Sequence, residues 1–160
     1  MAIGRSFQEA LQKACQGLEL TRMGLGCDGY EERNLEKLIH SLKNPSWDRI
    51  FHIKDAISLG VPITSIQEAT NIDRWFLEQI YDLVKTEREI KKYTIDNIDP
   101  LVLRTAKEKG FSDYQIAHAM GNCTEDDVYE KRNELNMKRV FKVVDTCAAE
   151  FESPTNYFYS

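Results

Sequence analysis

The 160-residue chain is 42% hydrophobic and 29% charged, with 26 acidic against 21 basic residues and a net charge of -5. An acidic excess excludes a general nucleic-acid or anionic-membrane binder, which needs basic surface to neutralise phosphates or lipid headgroups. A chain of this length buries roughly two-thirds of the surface that it exposes when unfolded, so its core needs neither disulfides nor a metal. No apolar run approaches the roughly 18 residues that span a bilayer, and no basic flank with an apolar block opens the chain, which points to the cytoplasm. Cys15, Cys27, Cys123 and Cys147 are widely spaced and form no Cys-x-x-Cys pair, so they read as reduced thiols packed as small hydrophobes.

The periodicity is helical almost throughout. Ser6 with Glu9 predicts a capping box, followed by a stripe of Phe7, Leu11, Ala14 and Leu18. Leu35, Leu38, Ile39 and Leu42 fall at helical spacing, and Asn44 and Pro45 end that segment. A third helix carries Trp47, Ile50, Phe51 and Ile57 and closes at Gly60; a short fourth follows Pro62, with Ser65 and Glu68 as its capping box. Asp73 predicts the N-cap of a longer helix bearing Phe76, Ile80, Leu83, Val84 and Glu87, whose end, Thr86 to Lys92, reads as a solvated charge run. Asp99 and Pro100 open the next helix and Gly110 closes it; Ser112 with Gln115 caps another, and Thr124 caps the last, through Leu135.

Ala56, Gly60, Val61, Ile66 and Ala69 recur 50 residues later as Ala106, Gly110, Phe111, Ile116 and Ala119. The echo predicts two similar helical hairpins packed on one another. From Val140 the pattern changes to a short β-like run, Val140, Phe141, Val143 and Val144, then a Ser-Pro-Thr-Asn stretch and the aromatics Tyr157, Phe158 and Tyr159. Aromatics so placed form an apolar patch in search of a contact. The expectation is an all-α fold of about eight helices over residues 1–139, then an extended strap over 140–160 that runs on into another domain.

Residue types with catalytic potential are present without the contexts that use them. Gly24, Gly26 and Gly29 satisfy G-x-G-x-x-G, but a helix precedes them where a dinucleotide site needs a strand, so they read as a flexible loop. His40, His52 and His118 lie on different helices without ligand spacing, and Cys147 sits among acids that blunt a thiol nucleophile. No catalytic, cofactor or metal site is assigned. Gly110 to Gly121 followed by Thr124 has helix-turn-helix spacing, but residues 124–135 hold five acids against Lys131 and Arg132, which phosphate would repel. A helix-turn-helix nucleic-acid module and a monomeric, inert spacer are the alternatives.

Several motifs together resemble the central helical domain of the carbamoyl-phosphate synthase large subunit. They are Ile3-Gly4-Arg5 with Phe7, Leu11 to Ala14, Asp48-Arg49-Ile50, Ile72 to Leu77, Gly110 to Asp113, and Val144-Asp145-Thr146-Cys147-Ala148-Ala149-Glu150-Phe151. The resemblance implies an oligomerisation or connection domain between two ATP-grasp halves, in a ligase that makes carbamoyl phosphate from bicarbonate, glutamine-derived ammonia and two ATP for pyrimidine and arginine synthesis. It implies that ATP and Mg²⁺ bind elsewhere in the parent, that a small glutaminase subunit partners it, and that this segment alone is catalytically silent. On that reading Arg5, Phe151, Tyr157, Phe158 and Tyr159 are candidate contacts to the ATP-grasp halves. Leu18, Leu20, Met23 and Leu25, apolar residues at the exit of the first helix, are the candidate self-association surface.

Overall fold

Side chains that accept from free N–H groups of the first turn set most helix starts. A computed structural model describes residues 1–147, 150–152 and 157–160; Ala148 and Ala149 of the Asp-Thr-Cys-Ala-Ala-Glu block and the Ser153-Pro154-Thr155-Asn156 stretch lie outside the described residues. Ser6 opens α1 (Phe7–Gln16), Asn34 α2 (Leu35–Lys43), Asp73 α5 (Arg74–Ile90), Asp99 α6 (Pro100–Glu108), Ser112 α7 (Asp113–Met120) and Thr124 α8 (Glu125–Glu134), each side chain bonded to a backbone N–H of its helix. Asp48 precedes α3 (Arg49–Ser58) and Pro62 precedes α4 (Ile63–Thr70), neither with a side-chain cap. The second capping box expected at Ser65 is therefore absent. Proline pre-sets φ for a helix start, so α4 begins at Ile63 and Ser65 falls inside it. The box at Ser6 is half formed: Glu9 N–H donates to Ser6 Oγ at 3.2 Å, but the Glu9 carboxylate accepts from Arg5 N–H at 2.5 Å.

The spine is α5, the longest helix, which packs against α1, α3, α4, α6 and α7, while α2 lies on α3 and α4, and α8 on α7. The buried core runs through Phe51, Ile57, Ile66, Leu77, Ile80, Leu83, Leu103, Ile116 and Val128. The described residues form eight helices and one two-stranded sheet, a predominantly helical domain as expected. In the tail β1 (Lys142–Val143) pairs antiparallel with β2 (Phe158–Tyr159), Lys142 opposite Tyr159.

The internal echo is structural. Val61 N–H reaches Ala56 O at 3.0 Å, and Phe111 N–H reaches Ala106 O at 3.1 Å. Asn71 and Gly121, both left-handed, close α4 and α7 by equivalent bonds to Gln67 O and Ala117 O. The two halves differ at their glycine turns. Gly60 (φ +88°) and Gly110 (φ +85°) share a conformation, but a Cβ on Gly60 meets nothing within 4 Å, whereas one on Gly110 would lie 2.9 Å from Gln12 Cβ and 3.0 Å from Glu9 Cα. Gly60→Ala carries the left-handed penalty alone, about 1–2 kcal/mol, while Gly110→Ala adds a clash with α1 worth about another 1–3 kcal/mol. Urea denaturation of both variants checks this; equal losses would show that α1 yields freely at that contact.

Two expected stripes are shifted. In α1 the buried residues are Glu9, Gln12 and Cys15; Phe7 and Leu11 are half-buried, and Ala14 and Leu18 are exposed. The polar side chains turn inward because they satisfy backbone groups, as described below. In the expected charge run, Thr86 and Glu87 are buried, because the last turns of α5 pass over α3 and not through solvent.

Candidate functional site

Beyond α1 the chain divides its apolar residues between surface and core. The Gly17 N–H returns to Lys13 O at 2.9 Å, and Glu19 takes a left-handed φ of +54°. That turn leaves Leu18, Leu20 and Met23 exposed. Leu25, expected beside them, is instead 3% exposed and belongs to the core. The physical reason is the loop itself. Leu25 N–H donates to Gln12 Oε1 at 2.7 Å, Gln115 Nε2 donates to Gly26 O at 2.6 Å, and Cys27 Sγ donates to Gln115 O at 3.4 Å. Residues 24–28 are all buried, so the glycine-rich segment is a pinned plug between α1 and α7, not the flexible loop that its composition suggested.

The N-terminus and the tail meet. Arg5 Nη2 donates to Val140 O at 2.6 Å, its guanidinium lies 5.6 Å from the Tyr159 ring centroid, and Lys13 Nζ donates to Ser160 O. Tyr159 is half-buried by these contacts; Phe151, Tyr157 and Phe158 are exposed. Phe7, Trp75 and Phe76 form a mutual cluster with centroid separations of 5.3, 5.4 and 5.0 Å, linking α1 to the start of α5. Trp75 and Phe76 keep much of their surface in solvent.

The densest electrostatics lie between α3 and α5, where sequence reasoning assigned nothing. Lys54 is 2% exposed, with its Nζ 3.0 Å from Glu87, 3.7 Å from Glu31 and 3.9 Å from Asp55. Burial penalises its ammonium, but Glu87, Asp55 and Glu31 outweigh this and hold its pKa above the ordinary lysine value. Burial likewise works against the Glu87 carboxylate, and Lys54 and Lys91 hold it below the ordinary range. Burial pushes Asp55 up. A second buried cluster ties the second half together: Lys107 Nζ lies 2.9 Å from Asp113, which also pairs with Arg132. Burial lowers the Lys107 pKa, against the pull of Asp113.

Most of these ion pairs are internal and tie one helix to the next, Lys54 of α3 to Glu87 of α5 and Asp113 of α7 to Lys107 of α6 and Arg132 of α8, which is the chemistry of a fixed shape. Burial pushes the thiols of Cys15 and Cys27 up to about 11 and about 12, so neither is a nucleophile at neutral pH. His118 stacks on Tyr114, with centroids 6.3 Å apart. In the helix-turn-helix comparison, Glu125, Asp126 and Asp127 crowd the first turn of α8, the end that would enter a groove. No helix among the described residues is long and apolar enough to cross a membrane.

A family model described as the carbamoyl-phosphate synthetase large chain oligomerisation domain matches residues 1–136. The chain belongs to this family. Carbamoyl-phosphate synthase large chains align with it from end to end: that of Synechocystis is 47% identical and that of Archaeoglobus fulgidus 43%, with 100% of this chain covered in each. The chain spans 15% of the length of either relative. In Aquifex aeolicus the similar protein is the N-terminal section of a carbamoyl-phosphate synthase large chain, 42% identical, of which this chain spans 28%. Membership of this family accounts for why the motifs of the sequence fall in order over the whole chain although none is an active-site signature.

Proposed function

We propose that this chain is the scaffold of a glutamine-hydrolysing carbamoyl-phosphate synthase large chain, joining its ATP-grasp halves and contributing to self-association. The observation that carries this reading is the match of residues 1–136 to a large-chain oligomerisation domain, in a chain that spans 15% of the length of its relatives. On this reading ATP and Mg²⁺ bind outside the domain, the small glutaminase subunit joins the holoenzyme, and the fragment is silent alone in a cytoplasmic enzyme of pyrimidine and arginine synthesis. Its physical contribution is rigidity. Helices locked by buried ion pairs hold two active halves at a fixed separation, so an unstable intermediate passes between them sheltered from water. The exposed Phe151, Tyr157 and Phe158, with Arg5 and Tyr159 beside them, are the surface for the ATP-grasp halves.

Leu18, Leu20 and Met23 form the self-association surface, without Leu25. Sedimentation velocity over a wide concentration range tests it. The wild-type chain passes reversibly from monomer to dimer, and Leu20→Glu with Met23→Glu weakens that dimer by at least about tenfold while its helical circular dichroism stays unchanged. A wild-type monomer at every concentration, or a variant that dimerises equally well, would refute the assignment.

A further inference from the structure

The segment between α1 and α2 folds over the start of α3 and leaves a pocket of about 370 Å³. Its rim is aromatic, with Trp47 73% and Tyr30 58% exposed, and its charge is one-sided. Glu31, Glu32, Asp48 and Asp55 line it against Arg22 and the imidazole of His52, whose buried Nδ1 has no hydrogen-bond partner. Arg22 is turned towards Asp28, with its Nε 2.9 Å away, and its guanidinium sits 4.4 Å from the Phe51 and 5.6 Å from the Tyr30 ring centroid, while its buried Nη2 has no hydrogen-bond partner. Asp48 makes no capping hydrogen bond to α3. Asp55, 3% exposed, accepts from Glu32 N–H at 2.9 Å through Oδ2, while its buried Oδ1 has no hydrogen-bond partner. Lys54, 3.9 Å from that oxygen, is bonded to Glu87 at 3.0 Å. A buried, unpartnered carboxylate oxygen destabilises the fold unless something donates to it.

We propose that this pocket receives an alkylguanidinium or alkylammonium group, with the cation against Asp48 and Asp55 and its flat or methylene face on Trp47 and Tyr30. Lys54 lies 3.7 Å from Glu31 and 3.9 Å from Asp55, and Lys37 3.6 Å from Glu32, so Asp48 is the carboxylate that anchors the group. Exposed aromatic faces beside a carboxylate select cations twice over, by the ring quadrupole and by charge-assisted hydrogen bonds. The neighbouring pocket of about 310 Å³ shares Glu31, Glu32 and Asp55 as walls, but there Arg33, Lys54 and Lys91 line the same space, whereas Asp48 belongs to the first pocket alone. The same cation reaches the site either on a small molecule or as an arginine or lysine side chain of another protein surface.

Trp47 is itself the reporter. The chain has two tryptophans, so Trp75→Phe leaves Trp47 alone. The 160-residue chain carrying that change is titrated at fixed ionic strength with butylguanidinium, with acetyl-Gly-Arg-Gly-amide, and with the neutral isosteres butylurea and acetyl-Gly-citrulline-Gly-amide. The expected result is a saturable change in Trp47 emission with both cations, half-complete below about 5 mM, which corresponds to a contact of about 3 kcal/mol, and none with the isosteres. Asp48→Asn with Asp55→Asn raises the half-saturation about tenfold at unchanged circular dichroism; Asp48→Asn alone, at a half-exposed position, weakens binding in the same direction if the double variant folds poorly. Equal affinity for the two cations identifies a small molecule as the source, and tighter binding of the peptide by tenfold or more identifies a protein side chain. Absence of saturation with both cations, equal responses to the neutral isosteres, or binding indifferent to Asp48 would overturn the proposal.

Discussion

Replacing Lys54 with methionine destabilises the domain by about 3–5 kcal/mol, the cost of stranding buried carboxylates, and lowers Tm by roughly 10 °C for a chain of this size. Methionine matches the lysine stem, so the loss comes from charge and not from volume. Glu87, 3.0 Å away, and Asp55 and Glu31 behind it face one another without their shared cation, leaving Lys91 as the remaining cation on Glu87. Adding Glu87→Gln recovers part of the loss, because the second change removes the charge that the first left uncompensated. Thermal unfolding of the two single variants and the double variant makes the measurement. Additive losses would show that Lys54 and Glu87 are energetically separate despite their contact.

The pH dependence has a defined sign. Glu87 is held below its ordinary value of 4.5, so its contribution is present above that pH and is lost as the pH falls through the lowered folded value. Lys54 is held above 10.5, so its contribution is present below that pH and is lost as the pH rises through the raised one. Asp55 is raised above 3.8 by burial, and it therefore favours the folded state more as it takes up a proton in acid. In Lys54→Met the stranded carboxylates are free to protonate, and the gap between variant and wild type narrows from neutral pH towards acid. A gap that stays constant would mean that packing and not charge sets the loss.

Local chemistry was legible and long-range polar pairing was not. Ser6, Asp73, Asp99, Ser112 and Thr124 were readable as helix starts because each bond joins a side chain to an N–H two or three residues on, for example Asp73 to Trp75 N–H at 2.8 Å. The 50-residue echo was readable for the same reason, since each turn closes within its own half. Gln12 and Gln115, by contrast, meet through a loop distant from both, and only the fold brings them to Leu25 and Gly26. The sequence did hold a signal for the ion cluster. Lys54 sits between Phe51 and Ile57 on the buried stripe of α3, and Glu87 between Val84 and Ile90 on that of α5, opposite charges on two apolar faces. The family was legible for a different reason: motif order and spacing persist through the whole chain even where each motif, such as Ile72 to Leu77, is ordinary alone.

Leu25→Glu abolishes the native fold at 37 °C, or lowers Tm by more than 15 °C, while Leu20→Glu, five residues earlier, changes stability by no more than about 0.5 kcal/mol. The two leucines look alike in sequence and differ in burial, 3% against 38%. At Leu25 the change removes a packed aliphatic group worth about 2–5 kcal/mol and places a carboxylate in the core at a penalty of several kcal/mol. Together these approach the whole stability of a domain, about 5–15 kcal/mol. The damage also spreads beyond the side chain, because the Leu25 N–H bond to Gln12 and the Gly26 O bond from Gln115 seat the plug between α1 and α7. Leu25→Ala, which keeps those backbone bonds, stays folded with a loss in the lower part of the cavity range, and so separates the packing loss from the charge loss. Urea denaturation of the three variants decides the matter. If Leu25→Glu were as stable as Leu20→Glu, the glycine-rich segment would be an open loop, and Leu25 would return to the candidate interface with Leu18, Leu20 and Met23.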